Sequence, residues 1–455
     1  MTVRAPSAPA APAFRHLVTG NIHAGVEELA GRPVVVARTT SDVHRGALSL
    51  EDGETICQAA RSACSLRLPI VIVLASSGAD VTEGVASLHG WGRAARALAS
   101  CSGLVPFLTV VTGPALSGPA LLVGLSDFTI MTPDAYAFVS GPAMVEDFTG
   151  VRIGIQQLGG ASMHARSSGL CSLEATSEKD AMAHVEAILD LLPAHTDELP
   201  PRHPYPEGGK EVVDALDDIV PARATSSYDV RRVAECLADD DGIVELWTRW
   251  APQLVTALGR IGGRPVGFVA NQPQALAGTL DITASQKGAR FVRFCDAFNL
   301  PLITMVDTPG FLPGKDLEWR GMIRHGAELA FAYSEATVPR VCVILRKAYG
   351  GAYIVMDSKG LGNDLCFAWP GSEIAVMGAE GAVQILHRRA DPEEQASLRD
   401  EYAERYLTPW EAAERGFVDA VIDPADTRQM VIDALRTLET SREQLPGRKH
   451  TGGPL

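Results

Sequence analysis

A short string near residue 31 returns near residue 263, and this repetition limits the possible folds more than any other feature. Gly31-Arg32-Pro33-Val34 recurs as Gly263-Arg264-Pro265-Val266, 232 positions later (263 − 31). At the same offset Leu68-Pro69-Ile70 meets Leu300-Pro301-Leu302, Gly46 meets Gly278, Arg61 meets Arg293 and Gly78 meets Gly310. Val105-Pro106 meets Val338-Pro339, and Ser117-Gly118 meets Gly350-Gly351, at an offset of 233, so one inserted residue accounts for the change. Chance supplies any one of these matches, but a register kept over about ninety residues indicates a duplicated domain. Whatever fold one copy adopts, the other adopts too.

Each copy has the same order of segments. An apolar run (Val34–Ala37; Val266–Val269) leads to a helical stretch at 51–66 and 283–298. A β-branched buried strand follows, Pro69–Ala75 and Pro301–Asp307, then another helix, then a strand at 107–112 and 341–346. Strands alternating with helices, the strands apolar on both faces, predict an α/β chain with largely parallel sheets. The run Leu199-Pro-Pro-Arg-His-Pro-Tyr-Pro-Glu-Gly-Gly209 cannot be regular structure and marks a linker. The expected division is a disordered tail at 1–13, a first domain at 14–225 and a second at 226–455.

Composition narrows the function. A chain of 455 residues with net charge −15 lacks the basic surface that nucleic acid or an anionic membrane requires. A local phosphate site remains open to it, because helix N-termini bind anions without net charge. None of the eight cysteines sit at CxxC spacing, and most lie in apolar contexts such as Val341-Cys342-Val343, as reduced core thiols of a cytoplasmic protein do. No apolar run approaches the ~20 residues of a membrane span. Residues 1–13 lack the apolar centre of a secretory signal.

The chemistry is expected at four Gly-rich strand-to-helix turns, two per copy. They are Ser76-Ser77-Gly78-Ala79 and Gly113-Pro-Ala-Leu-Ser-Gly-Pro-Ala120, then Thr308-Pro309-Gly310 and Lys347-Ala-Tyr-Gly-Gly-Ala352. Small residues let a ligand carbonyl approach the backbone, and the first N–H groups of a helix have no internal partner. Two such donors converging on one point stabilise an oxyanion. A glycine turn also forms simply because a tight strand–helix connection needs one, so pairing in both copies carries the inference. There is no P-loop, no GxSxG elbow and no HExxH. Glu393-Glu394 reads as a solvated face, and His89, His164 and His325 read as hydrogen-bonded structure. The missing acid–base pair suggests that substrate or cofactor handles the proton. No metal is expected.

Longer strings identify the family. Residues 263–379 resemble the C-terminal half of the β subunit of biotin-dependent acyl-CoA carboxylases of the propionyl-CoA type. The match is carried by Asn271-Gln-Pro, Lys287-Gly-Ala-Arg-Phe-Val-Arg-Phe-Cys-Asp296, Val306-Asp-Thr-Pro-Gly-Phe-Leu-Pro-Gly314, Arg346-Lys-Ala-Tyr-Gly-Gly-Ala-Tyr353 and Ala375-Val-Met-Gly-Ala379. It is patchier in the first half, at Glu83-Gly84-Val85, Ser140-Gly-Pro142 and Gly159-Gly-Ala161.

The resemblance implies two tandem crotonase-like domains, each a ββα superhelix. It further implies a homo-hexamer, acyl-thioester binding by the first domain and biotin binding by the second. The implied reaction moves a carboxyl group from carboxybiotin to the α carbon of an acyl-CoA, or of a carrier-bound acyl thioester, through an enolate. A malonyl- or methylmalonyl-thioester decarboxylase or transcarboxylase is the alternative, as is a catalytically weakened paralogue in a mixed oligomer. Biotin carboxylase and biotin carrier subunits are the implied partners, since no ATP-binding domain and no Met-Lys-Met biotinylation string are present.

By the same resemblance, Gly351 and Ala352 match the donors to the biotin carbonyl oxygen, and Ser117 and Gly118 those to the enolate, where the family usually has Gly-Gly. Gly78, Ala79, Tyr349 and Gly350 fall in the adjoining substrate-binding turns. Ile354 stands where propionyl-type enzymes usually place Asp in the acyl pocket. The usual Ser-Gly-Gly-Ala-Arg string is Ser76-Ser77-Gly78-Ala79-Asp80 here, so an anion replaces a cation. The family's extra N-terminal helical segment is not matched, which leaves Arg93 and Arg96 as candidate contacts for the acceptor's phosphates.

Overall fold

The computed structural model describes residues 20–40, 43–205, 215–221, 223 and 226–454. The expected tail at 1–13 lies outside them. The chain divides into two compact units: the first runs to Asp190 and includes Ala194–Asp197, and the second takes Leu191–Pro193 and everything from Glu198. The division therefore falls upstream of residue 225, and the proline-rich stretch goes with the second unit. Backbone contact explains this: His203 N–H donates to Gly263 O at 2.9 Å, so close that a Cβ on Gly263 would lie 2.1 Å from His203 O.

The first unit contains β1 (Ile22–Leu29), β2 (Arg32–Thr39), β3 (Ile70–Ser76), β4 (Phe107–Leu116), β5 (Phe128–Met131), β6 (Tyr136–Phe138) and β7 (Leu173–Glu174). The second contains β8 (Ile243–Leu246), β9 (Leu254–Ile261), β10 (Arg264–Asn271), β11 (Leu302–Thr308), β12 (Arg340–Tyr349), β13 (Leu365–Ala368), β14 (Glu373–Ala375) and β15 (Ala420–Val421). The sheet orders are β1-β2-β3-β4-β5-β7, with β6 on β4, and β15-β13-β12-β11-β10-β9-β8, with β14 on β12. Beyond one antiparallel hairpin in the first and the antiparallel β8-β9-β10 edge of the second, all pairings are parallel.

The repeated Gly-Arg-Pro-Val string is the exit of that hairpin. Ala30 and Gly31 turn at φ 51° and 68°, and Gly262 and Gly263 at 59° and 76°. Positive φ at both central residues gives the mirror-image turn whose twist matches the flanking strands.

Helix α1 (Leu50–Leu66) packs on β1, β2 and β3, and α2 (Val85–Ala99) packs against α1. Ser49 and Asp52 form a reciprocal capping box at the start of α1, worth about 1 kcal/mol. The buried Asp52 carboxylate also accepts the N–H groups of Asn21 and Ile22 at 2.6 and 2.8 Å, fixing β1 to the helix start. The two helices touch backbone to backbone: a Cβ on Gly53 would lie 2.2 Å from the Gly90 carbonyl carbon. In the second unit the helix Ile282–Ala297 takes the place of α1, within a residue of the expected 283–298.

The strands at 107–112 and 341–346 run further than the sequence predicts. β4 continues through Gly113-Pro114 to Leu116, and its end leaves β5 to pair with β6; β12 likewise continues to Tyr349 and pairs with β14. Gly113 serves close approach rather than a turn, since its Cβ would stand 3.2 Å from Ala75 Cβ. The long strands place their final residues beside the turn that leaves β3 or β11.

Candidate active site

In the first unit two turns abut. Gly78, two residues past the end of β3, has φ +114°, and Ser117, directly after β4, has φ +61°. Ser76 pairs with Ala115, and a Cβ on Gly78 would sit 3.2 Å from both Leu116 O and Ser117 Cβ. Most backbone donors here are committed. Gly78 N–H donates to Ser76 Oγ, Asp80 N–H to Leu48 O, Ser117 N–H to Phe138 O at 3.0 Å and Ala120 N–H to Ser117 O. Pro119 has none. Among the described residues only the N–H groups of Ala79 and Gly118 are left at this corner. The Ser117 N–H, expected as a donor, is bonded to Phe138 O on β6, whereas the Ala79 N–H at the neighbouring turn is not bonded among the described residues. The backbone at Ser117 (φ 61°, ψ −149°) belongs to a region that almost only glycine occupies.

The second unit repeats the arrangement. Gly310 follows β11 at φ +142°, Leu280 N–H donates to Gly310 O and Leu312 N–H to Leu280 O, which leaves Phe311 N–H without a partner among the described residues. Gly350, at φ +58°, starts the helix Gly350–Val355, and Gly351 follows in its first turn, where N–H groups have no intrahelical acceptor. Gly351 is exposed and Ala352 buried; the N–H groups of both, in the first turn of this helix, are without a backbone acceptor among the described residues, as is that of Phe311 at the neighbouring turn. The Phe311 ring lies beside Gly351, 3.5 Å from where a Cβ would be.

A cavity of about 560 Å³ opens alongside Gly350 and Gly351, walled by Ile354, Ile374, Tyr402 and Phe417. Ile354 is at the apolar rim. Tyr349 turns away and donates its hydroxyl to Glu373; burial and that bond push its pKa up.

Below this second corner lies a buried ion pair that the sequence reading missed. Arg346 Nε and Asp307 Oδ2 are 3.1 Å apart, and Asp307 Oδ1 accepts Lys347 N–H at 3.1 Å. The pair ties the ends of β11 and β12, the strands leading to Phe311 and Gly351. Arg346 also donates to Ser226 O at 2.7 Å and lies over the Tyr228 ring. The signal was a charged residue closing an otherwise apolar strand. In the first unit the corresponding residues are Ala75 and Gly113, and no such pair exists there. Phe311 was missed because what sets it apart is an unbonded backbone N–H, which its side-chain type does not reveal.

Other expectations resolve individually. Asp80 is not a free anion: its carboxylate meets His44 Nδ1 at 2.8 Å and accepts Thr82 N–H and Oγ1–H, contacts that lower its pKa to about 2, the His44 bond foremost. His164 is structural, its Nε2 2.8 Å from Ala137 O and its Nδ1 2.6 Å from Ser168 Oγ, with burial lowering its pKa. Arg93 pairs with Glu54 at 2.9 Å and, like Arg96, lines a groove beside α1.

Paired backbone donors on each of two tandem crotonase-like units define the class: enzymes that hold a carbonyl oxygen as charge develops on it. Comparison with known proteins specifies it. The chain belongs to the carboxyl transferase domain family, whose model matches residues 6–452. It is 43% identical over 438 residues, 95% of this chain and 85% of the relative, to the propionyl-CoA carboxylase carboxyltransferase subunit of Haloferax mediterranei. It is 41% identical over 93% of this chain and 82% of the relative to the methylmalonyl-CoA carboxyltransferase 12S subunit of Propionibacterium freudenreichii subsp. shermanii. Its fold superposes, with TM-score 0.93 and 39% identity over 96% of this chain and 85% of the other, on a transcarboxylase 12S crystal structure that shows a hexamer with methylmalonyl-coenzyme A bound.

Proposed function

We propose that this carboxyltransferase moves a carboxyl group from carboxybiotin to the α carbon of an acyl-CoA thioester, with the acyl group in the first unit and biotin in the second. The observation that carries this reading is the pair of unspent backbone donors repeated in each unit. In the first, Ala79 and Gly118 N–H groups hold the thioester oxygen as it gains charge in the enolate. Fixed donors of this kind are worth about 3–4 kcal/mol each, because they need no reorganisation during reaction.

The second unit fits biotin: Gly351 and Phe311 offer two N–H groups to a ureido oxygen, and the adjoining cavity is apolar. Carboxybiotin, when bound, supplies the carboxyl group and a ureido nitrogen that takes the α-proton. The chain then needs no side-chain base, and His164, whose two ring nitrogens are both occupied, supplies none. The Asp307–Arg346 pair keeps the second pair of donors in place.

Partner subunits that carboxylate and carry biotin, a homo-hexamer and a cytoplasmic location complete the proposal. No helix among the described residues is long and apolar enough to cross a membrane. The 12S relative favours a second reading, transcarboxylation from a methylmalonyl-type thioester, which the same donors serve. The test incubates the protein with carboxybiotinylated carrier and a panel of acyl-CoA and acyl-carrier thioesters, with products read by mass spectrometry. Carboxylated acyl-CoA is the expected product. Its absence, with biotin-free decarboxylation of methylmalonyl-CoA instead, would overturn the main reading.

A further inference from the structure

Helices α1 and α2 meet closely at Gly53 and Gly90, and a second feature lies further along them. A groove of about 560 Å³ is lined by Arg61, Cys64, Ser65, Arg93, Arg96 and Ser100, three guanidinium groups and no carboxylate. Arg93 is paired with Glu54, while the side chains of Arg61 and Arg96 have no partner among the described residues. In a chain of net charge −15 this is a local cationic site. It stands apart from the donors at Ala79 and Gly118, since it lies along the second half of each helix rather than at the turn that precedes α2.

Cys64 is half-buried in this groove, its Sγ 3.5 Å from the Sγ of Cys101. Cys101 is fully buried, its thiol directed at the Ala60 and Ala97 carbonyls at 3.7 and 3.8 Å. The pair is therefore one accessible sulfur in contact with one shielded sulfur. Cys342 and Cys366 provide an internal contrast: they sit opposite each other on β12 and β13, both fully buried.

We propose that Cys64 is a thiol-modification site with Cys101 as its resolving partner, and that the arginine-lined groove admits small disulfides bearing carboxylates. The steps balance without any other reactant. The Cys64 thiolate attacks one sulfur of the incoming disulfide, forming a mixed disulfide and releasing one thiolate. Cys101 loses its proton and attacks the Cys64 sulfur, expelling the second thiolate. The two cysteines are oxidised by two electrons and the reagent is reduced to two thiols. Arginine suits the incoming group because its planar fork binds carboxylates in pairs of hydrogen bonds. The hydrogen bond between the two thiols lowers the pKa of Cys64 to about 7 and, with burial, pushes that of Cys101 up, so Cys64 attacks first and Cys101 follows once Cys64 has been modified.

The test uses the native, full-length protein and two reagents: dianionic 5,5′-dithiobis(2-nitrobenzoate) and neutral 4,4′-dithiodipyridine. Each is expected to release two thiol equivalents at this site and to leave a Cys64–Cys101 cross-linked peptide in the mass spectrum. Cys101→Ser is expected to stop at a stable Cys64 adduct, and Cys64→Ser to abolish the cross-link. Replacing Arg61 and Arg96 together by Gln is expected to slow the dianionic reagent on the order of tenfold relative to the neutral one. An unmodified Cys64 in folded protein, or an adduct that never transfers to Cys101, overturns the proposal. An unchanged ratio of the two reagents overturns the groove's selectivity.

Discussion

Ser117→Gly is the most informative single change, because its effect on stability is set by geometry already described. Ser117 holds φ 61° and ψ −149°, where a Cβ costs about 1–3 kcal/mol. The equivalent residue of the second unit is Gly350 at φ 58°, which incurs no such cost. The hydroxyl of Ser117 has no hydrogen-bond partner among the described residues, so nothing is lost with it. Against this relief stands the extra freedom of glycine in the unfolded chain, roughly 0.5–1 kcal/mol. The net is a gain of about 0.5–2 kcal/mol, or ~1–8 °C in the melting temperature of a unit this size. Scanning calorimetry of both proteins under identical conditions measures it. Carboxylation rates on an acyl-CoA should be equal or higher, since the Ser117 Cβ stands beside Gly78 at the edge of the corner. A lower melting temperature would refute the strain argument. A tenfold loss of turnover in the stable variant would show that the serine side chain acts on the substrate.

Gly351→Pro removes one outward N–H at a helix start that tolerates proline, and is expected to lower turnover ~10²–10³-fold in an intact assembly, checked by steady-state kinetics and light scattering. Asp307→Asn leaves Arg346 buried without its counter-charge, which should cost about 3–5 kcal/mol in chemical denaturation. Lys287 is wholly buried, its ammonium 2.9 and 3.0 Å from the carbonyls of Trp247 and Trp250, and burial lowers its pKa to about 7. Its unfolded value is about 10.4, so between those limits the unfolded chain binds the proton that the folded chain does not, and stability rises with pH. Urea midpoints of the parent minus those of Lys287→Met should accordingly fall as pH drops from 10 to 7; a flat difference would mean the lysine stays charged in the fold.

The sequence by itself determined the duplication, the α/β class and the family. Those rest on local information: strings such as Gly31-Arg32-Pro33-Val34 hold hairpin turns that need positive φ, and runs such as Ile70–Ser76 are buried on both faces. It also located the four strand-to-helix turns in or beside which the unbonded N–H groups lie. Tertiary structure decided which N–H groups remain unspent. Ser117 and Gly118 are adjacent in the chain, yet one N–H is taken by Phe138 O, 21 residues on, and the other is not. That choice depends on β4 continuing through Gly113-Pro114 to pair with β6, a long-range pairing that local composition opposes. The same reason hid Phe311 and the Asp307–Arg346 pair. Each depends on which distant backbone comes to lie alongside, and one-dimensional pattern holds no record of that.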